Sequence, residues 1–176
     1  MSPVLVPPCA AHKESYRDLV KEFADRGEPP IPFTLAIPHE NFEAFLAQLA
    51  AASRGEGIPA GFVANSTFFL VDAGEVVGVS NLRHTLTDKL RREGGHIGYG
   101  IRPSVRGRGL GTEILRLMLR EAGRRGIDRA LLTCSKSNVA SSRVIQGNGG
   151  VLDSEEFSPE RGEVLQRWWI EVAPGA

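Results

Sequence analysis

Cysteine is scarce: the 176 residues hold only Cys9 and Cys134, far apart and outside any Cys-x-x-Cys unit. That excludes a disulfide framework, and four scattered histidines offer no metal-ligand spacing either. Net charge is missing as well. Lys and Arg total 21 and Asp and Glu total 21, so no overall field favours nucleic acid or membrane. No apolar run approaches the roughly 20 residues of a membrane span. Met1-Ser-Pro-Val-Leu-Val-Pro-Pro8 lacks the basic start and long apolar run of a secretory signal. The expectation is a soluble cytoplasmic protein with free thiols, one domain over residues 1–176, without repeats, linkers or metal. Lysine is absent between Lys89 and Lys136, which removes the P-loop from the most glycine-rich part of the chain.

What is present there is Arg102-Pro-Ser-Val-Arg-Gly-Arg-Gly-Leu-Gly-Thr112. Upstream, Gly94-Gly-His-Ile-Gly-Tyr-Gly-Ile101 reads as a strand. Downstream, Leu110, Ile114, Leu115, Leu117, Met118 and Ala122 recur at helical spacing. Gly107, Gly109 and Gly111 alternate with Arg106, Arg108 and Leu110, and Thr112 follows. Glycine lets a ligand approach the main chain closely, and the first amides of a helix have no internal acceptor. With the helix dipole and two arginines added, the turn suits a phosphate or pyrophosphate. A dinucleotide fingerprint fails, because Thr112 and Ile114 stand where its last glycine is required. From Arg102 to Arg125 seven arginines face Glu113 and Glu121, a net charge of +5. Arg116, Arg120 and Arg124 form a solvated helix face, so a nucleic-acid reading lacks both interleaved aromatics and a helix-turn-helix pattern.

Taken in order, Val4–Val6 predicts a strand. Helices are predicted over about 11–26 and from Pro38 to about residue 53, separated by the stiff loop Glu28-Pro-Pro-Ile-Pro32. Two strands, 67–71 and 76–82, flank the turn Asp72-Ala-Gly-Glu75. Residues 84–95 make a polar excursion, helical or irregular. After the central strand and helix, Gly126 is a stop, 129–134 a strand, and Ser137 or Asn138 the start of a short helix. Asn148-Gly-Gly150 turns into a strand at Val151-Leu152. Residues 164–172 form the last strand, where Trp168 and Trp169 take opposite faces. The Gly-Ala tail reads as frayed.

Arg106-x-x-Gly109-x-Gly111 directly after a strand resembles the acyl-CoA-binding motif of the GCN5-related N-acetyltransferases, R/Q-x-x-G-x-G/A. Asn138-x-x-Ser141 resembles that family's N-x-x-[A/S] segment, which contacts the pantetheine arm. More narrowly, Asn81-Leu-Arg-His84, Gly94-Gly-His-Ile-Gly-Tyr99, Arg102-Pro-Ser104 and Trp168-Trp-Ile170 resemble an uncharacterised bacterial branch of predicted acetyltransferases. The resemblance covers 66–172 well and the first 65 residues loosely. It implies an α+β fold: a mixed, mostly antiparallel sheet of six to seven strands with helices on both faces.

It also implies acetyl transfer from acetyl-CoA to an amine by direct attack, with the coenzyme held by Ile101, Arg102, the turn 106–112, Asn138 and Ser141. The family's central strand bulges, and Gly98 and Gly100 suit either a bulge or close packing. His96 stands immediately before Ile97, where many family members carry a glutamate just before the corresponding hydrophobic residue, and is the first candidate base; a structural role is the alternative. His84 is the second. The family's acid, a tyrosine seven residues after the asparagine, is Ile145 here. Tyr99, Cys134, Ser142 or water then remain as proton donors, and Cys134 also reads as a core residue. Thiolate is a tolerable leaving group, its conjugate thiol having a pKa of about 8.5.

Two readings follow: an acetyl-CoA-dependent N-acetyltransferase acting on a small-molecule or peptide amine, and a non-catalytic acyl-CoA-binding regulatory or sensing module. Asp153-Ser-Glu-Glu156 and Glu160 to Glu163 are either a solvated hairpin or an attraction for a cationic amine. One of Trp168 and Trp169 is a candidate for the acceptor cleft. A homodimer is left open, since no feature of the sequence speaks for it.

Overall fold

The computed structural model describes residues 2–174, so the expected fraying of the Gly-Ala tail lies outside the described residues. β1 (Val4–Val6), β2 (Asn65–Asp72), β3 (Glu75–Arg83) and β4 (Ile97–Ile101) form one antiparallel sheet in that order. β5 (Arg129–Ser135), β6 (Val151–Ser158) and β7 (Glu163–Glu171) form a second, ordered β5-β7-β6. The seven expected strands are therefore present, divided four and three.

α1 (Lys13–Asp25) and α2 (Phe42–Ser53) cover one face of the larger sheet. Tyr16 stacks on Phe69 at 5.0 Å between ring centroids and meets Phe45 at 5.1 Å, so this layer is held by aromatic burial. Asn41 rather than Pro38 starts α2: its side chain accepts the Ala44 amide at 3.0 Å, a cap that contributes about 1 kcal/mol. α4 (Leu110–Arg124) and α5 (Val139–Gly147) pack on the opposite side. Ile114, Leu115, Met118 and Ala122 of α4 are fully buried, as their spacing predicts. The polar stretch before β4 contains the short α3 (Asp88–Arg92), capped by Thr87.

Three features of the strands differ from the sequence reading. β4 begins at Ile97, because Gly94 and Gly95, at φ 107° and 62°, bend the chain toward β5. β4 keeps unbroken register with β3 and carries no bulge against it. The register instead shifts between Leu70 and Val71 of β2, and between Leu152 and Ser154 of β6. Gly100 is explained by close packing: a Cβ there would overlap the carbonyl oxygen of Ile31 and reach the Phe23 ring. Finally, β6 runs to Ser158, well past the expected Val151-Leu152, so Asp153, Glu155 and Glu156 lie on the first strand of the hairpin.

Candidate active site

β4 and β5 meet at one joint, at whose edge the Gly94 amide donates to Thr133 Oγ1 at 2.9 Å. The His96 amide donates to the Leu131 carbonyl at 2.7 Å, and the Leu131 amide donates to His96 Nδ1 at 2.9 Å. No ladder joins the two strands beyond it. The opening leads into a cleft of about 570 Å³ between β4, the start of α4, the start of α5 and the end of α1.

At its outer end lies the glycine-rich turn. Gly107 and Gly109 both have φ 79°, a conformation that side chains disfavour. The first backbone bond of α4 runs from Glu113 N to Gly109 O, so the amides of Leu110, Gly111 and Thr112 have no acceptor within the helix. Added to the dipole, these donors suit an anion. Gly111 is needed for packing instead: a Cβ there would meet Val144 of α5 at 3.1 Å.

Of the residues expected to hold coenzyme, Ile101, Arg106, Gly107, Gly109, Leu110, Gly111, Thr112, Asn138 and Ser141 line the cleft. Arg102 does not. It turns to α1, where Nε donates to Glu22 Oε1 at 2.6 Å. Arg108 is exposed and lies outside the lining. Arg106 reaches the cleft with its fork already taken, by both oxygens of Glu28 at 2.9 and 2.7 Å, while its Nε donates to Ile101 O. The hydrogen bonds and charge of Arg106 hold the carboxyl of Glu28 below its usual range, and the Arg106 guanidinium lies 5.3 Å from the Phe23 ring centroid. Asn138 Oδ1 accepts the Ser141 amide at 3.1 Å and so caps α5.

The catalytic candidates separate. Tyr99 lines the cleft, and its hydroxyl lies 3.2 Å from Ser141 Oγ. Burial pushes its pKa up to about 12, so it is a protonated donor at neutral pH. Ile145, at the family's tyrosine position, is buried in the core. The structure does not bring His96 to the cleft. Its ring is part of the β4–β5 joint, and a backbone amide can only donate, so Nδ1 accepts and Nε2 carries the proton. Such an imidazole has no free lone pair for a substrate proton. Burial, then the nearby Arg91 and Arg83, lower its pKa to about 4. His84 is elsewhere too, with Nε2 2.9 Å from Ser66 Oγ and its pKa lowered by burial and by Arg125.

Cys134 is buried beside Gln166, and burial pushes its thiol up. Neither tryptophan lines the cleft: Trp168 is in the core, and Trp169 lies under the Arg129 guanidinium at 4.9 Å. The acidic hairpin is largely paired, Glu155 with Lys136 and Glu156 with Arg167. The sequence reading missed Phe23, Glu28, Pro29 and Ile31 as lining. The stiffness of Glu28-Pro-Pro-Ile-Pro32 was the available signal, since a rigid segment can be laid accurately across a strand.

Among the described residues, no group of three or more His, Cys, Asp or Glu side chains is placed to hold a metal, and no helix is long and apolar enough to cross a membrane.

A family model described as an acetyltransferase (GNAT) domain matches residues 4–151. Among solved structures, an acetyltransferase from Salmonella typhimurium that modifies the N-terminal serine of ribosomal protein L7/L12 shares 16% identity. It superposes at TM-score 0.69 over 96% of this chain and 94% of its own. The microcin C7 self-immunity acetyltransferase MccE, solved with acetyl-CoA and AMP, shares 15% identity at TM-score 0.70, covering 97% and 92%. The acetyltransferase yncA of Salmonella typhimurium, solved with acetyl-CoA, shares 15% at TM-score 0.65, covering 100% and 97%. At these identities the likeness shows the fold. No curated protein matches the sequence.

Proposed function

The chain belongs to the GNAT acetyltransferase family, and from that premise we propose that it transfers the acetyl group of acetyl-CoA to a primary amine of a small molecule or peptide, by direct attack, in the cytoplasm. The observation that carries this reading is the cleft that runs from the unpaired amides at the start of α4 to the Tyr99–Ser141 pair. Similar structures solved with acetyl-CoA support the donor.

In this proposal the amides of Leu110, Gly111 and Thr112 hold the diphosphate, with Gly107 and Gly109 allowing close approach. Ile101, Asn138 and Ser141 flank the pantetheine arm. The thioester supplies the activated acetyl group. Tyr99 gives its phenolic proton to the departing thiolate and is reprotonated from solvent through Ser141. Neither histidine serves as base at the cleft, so the incoming ammonium first loses a proton to water, the neutral amine attacks the thioester carbon, and the nitrogen's further proton also leaves to water. The rate then follows the acceptor's own ionisation. Calorimetry with coenzyme A, followed by a screen of amines read by thiol release, tests the reading. It predicts 1:1 binding and turnover with at least one amine class; absence of coenzyme uptake overturns it.

The second reading, a non-catalytic acyl-CoA-binding module, is favoured by one observation: no histidine lines the cleft, and Ile145 fills the position of the family's acid. It predicts coenzyme uptake without thiol release for any amine.

A further inference from the structure

A second cavity, of about 230 Å³, lies at the edge of β2 and shares no lining residue with the cleft. β1 accompanies β2 only as far as the Val6–Phe69 pair, and Pro7 and Pro8 follow. Proline has no amide with which to continue the ladder, so the edge of β2 at Thr67 is vacated. Leu46 and Leu49 of α2, with Pro8 and Phe68, give the cavity apolar walls. Its lining runs from exposed Pro7, Ala50 and Arg125 to buried Ser66 and Thr67, so it opens to solvent. Backbone bonds alternate between the two sides of a strand. The His84 amide donates to the Ala64 carbonyl, so the even-numbered residues at this end of β2 bond to β3, and Thr67 turns its amide to the vacated edge.

Two side chains meet on the Ser66 hydroxyl. Ser66 Oγ lies 2.9 Å from His84 Nε2 and accepts from Arg125 Nη2 at 3.2 Å. Arginine can only donate, and among the described residues nothing but His84 is placed to take the Ser66 proton. The hydroxyl therefore donates to Nε2, and Nδ1 carries the imidazole proton. Burial and the charge of Arg125 lower the His84 pKa, so the ring is neutral at pH 7 and able to take a proton. Arg125 is itself held, by Glu121 at 3.3 Å and by the Phe68 ring, whose centroid is 5.9 Å from the guanidinium. A hydroxyl bonded to a neutral base is an activated nucleophile. Arg125 on its oxygen and the Thr67 amide one residue on are donors where negative charge would develop.

We propose that Ser66 is the nucleophile of a second, hydrolytic site, which cleaves small carboxylic esters whose acyl group enters the cavity beside β2. Ser66 Oγ bonds to the ester carbon while its proton passes to His84 Nε2. Arg125 and the Thr67 amide meet the negative oxygen that forms. The bond to the leaving oxygen then breaks, and the alcohol departs with the proton from His84. Water attacks the acyl-serine, gives a proton to His84 and releases the carboxylic acid as Ser66 recovers its own proton. The site is independent of acetyl transfer at the cleft.

The test follows release of p-nitrophenolate from p-nitrophenyl acetate by the full chain, with desulfo-coenzyme A present to fill the cleft without adding a thiol. Wild type is expected to exceed Ser66→Ala at least tenfold. His84→Gln still accepts the Ser66 hydrogen bond but takes no proton, so it should fall to the Ser66→Ala level. Arg125→Gln should lose tenfold or more. The excess over Ser66→Ala should rise with pH and level off below the ordinary histidine pKa, as His84 becomes neutral beside Arg125 and its partner Glu121. A cooperative thermal transition shows that each variant is folded. Equal rates in wild type and Ser66→Ala, or a rate that survives in His84→Gln, overturn the site. Where Ser66→Ala does not fold, phenylmethanesulfonyl fluoride decides on the wild type: a sulfonyl adduct mapped to Ser66 supports the site, and none there overturns it.

Discussion

The imidazole of His96 is held neutral by its surroundings, and that leaves a signature in pH. Its folded pKa, about 4, lies below the unfolded 6.5. The unfolded chain therefore binds the proton first, and the ring's contribution is complete above pH 6.5 and declines as pH falls toward 4. The effect is on the order of 2 kcal/mol once solvent screening is allowed for. His96→Asn keeps an oxygen near Nδ1 to accept the Leu131 amide but cannot titrate. Thermal unfolding followed from pH 7 to 4.5 should show Tm falling more steeply in wild type than in His96→Asn. Equal slopes would assign the acid sensitivity to other groups. His96→Ala, which orphans a buried amide, should cost about 1–3 kcal/mol near pH 7, and less as pH falls toward 4. Tyr99 makes the contrasting case. Tyr99→Phe preserves the packing and removes only the hydroxyl, so kcat should fall about ten- to hundredfold with the KM for acetyl-CoA nearly unchanged. A thiol is not a demanding leaving group, which sets the low end of that range. Full retention of kcat would remove Tyr99 from the chemistry.

Among the elements, the turn into α4 was legible in advance because everything it needs is local: three glycines, a preceding strand, a following apolar stripe. What its arginines do was not. Arg106 is engaged by Glu28, 78 residues earlier in the chain, and Arg102 by Glu22, 80 residues earlier. No spacing rule connects such partners. The same limit applies to β4, whose start depends on Gly94 and Gly95 bending onto β5, and to His96, whose role is set by a strand 35 residues on. Because the Arg106 fork is occupied, affinity for the diphosphate is assigned to the amides. Gly109→Val forces a β-branched residue to φ 79°, where strain is on the order of 1–3 kcal/mol and the backbone must move. It should abolish coenzyme uptake in calorimetry. Arg106→Gln should lower affinity by less than tenfold and act mainly by loosening the segment 28–32. Should Arg106→Gln be the more damaging of the two, the guanidinium rather than the backbone is the anion's partner.

For the molecule as a whole, two sheets that share one joint explain why there is a cleft at all. Were the β4–β5 ladder continuous, Tyr99 would pack inside a seven-stranded sheet and nothing could enter beside it. The joint is tight at Gly95: a Cβ there would overlap the Leu131 carbonyl and press on Leu132 Cα. Gly95→Ala must therefore push the sheets apart at the point where His96 and Leu131 exchange their bonds. Gly57 is the control, since it has the same φ of 62° with no atom within 4 Å of an added Cβ. Gly57→Ala should cost about 1 kcal/mol, the backbone contribution alone. Gly95→Ala should add the loss of the joint, reaching about 2–4 kcal/mol in denaturant unfolding. In the folded fraction it should also weaken coenzyme binding, although Gly95 lies outside the cleft. A Gly95→Ala protein as stable as Gly57→Ala, with coenzyme affinity intact, would mean that the opening is held by α4 and α5 rather than by the strand joint. The packing of Ile114 on the larger sheet, and of Leu115 and Met118 in the cluster that draws on both sheets, would then be the element to probe next.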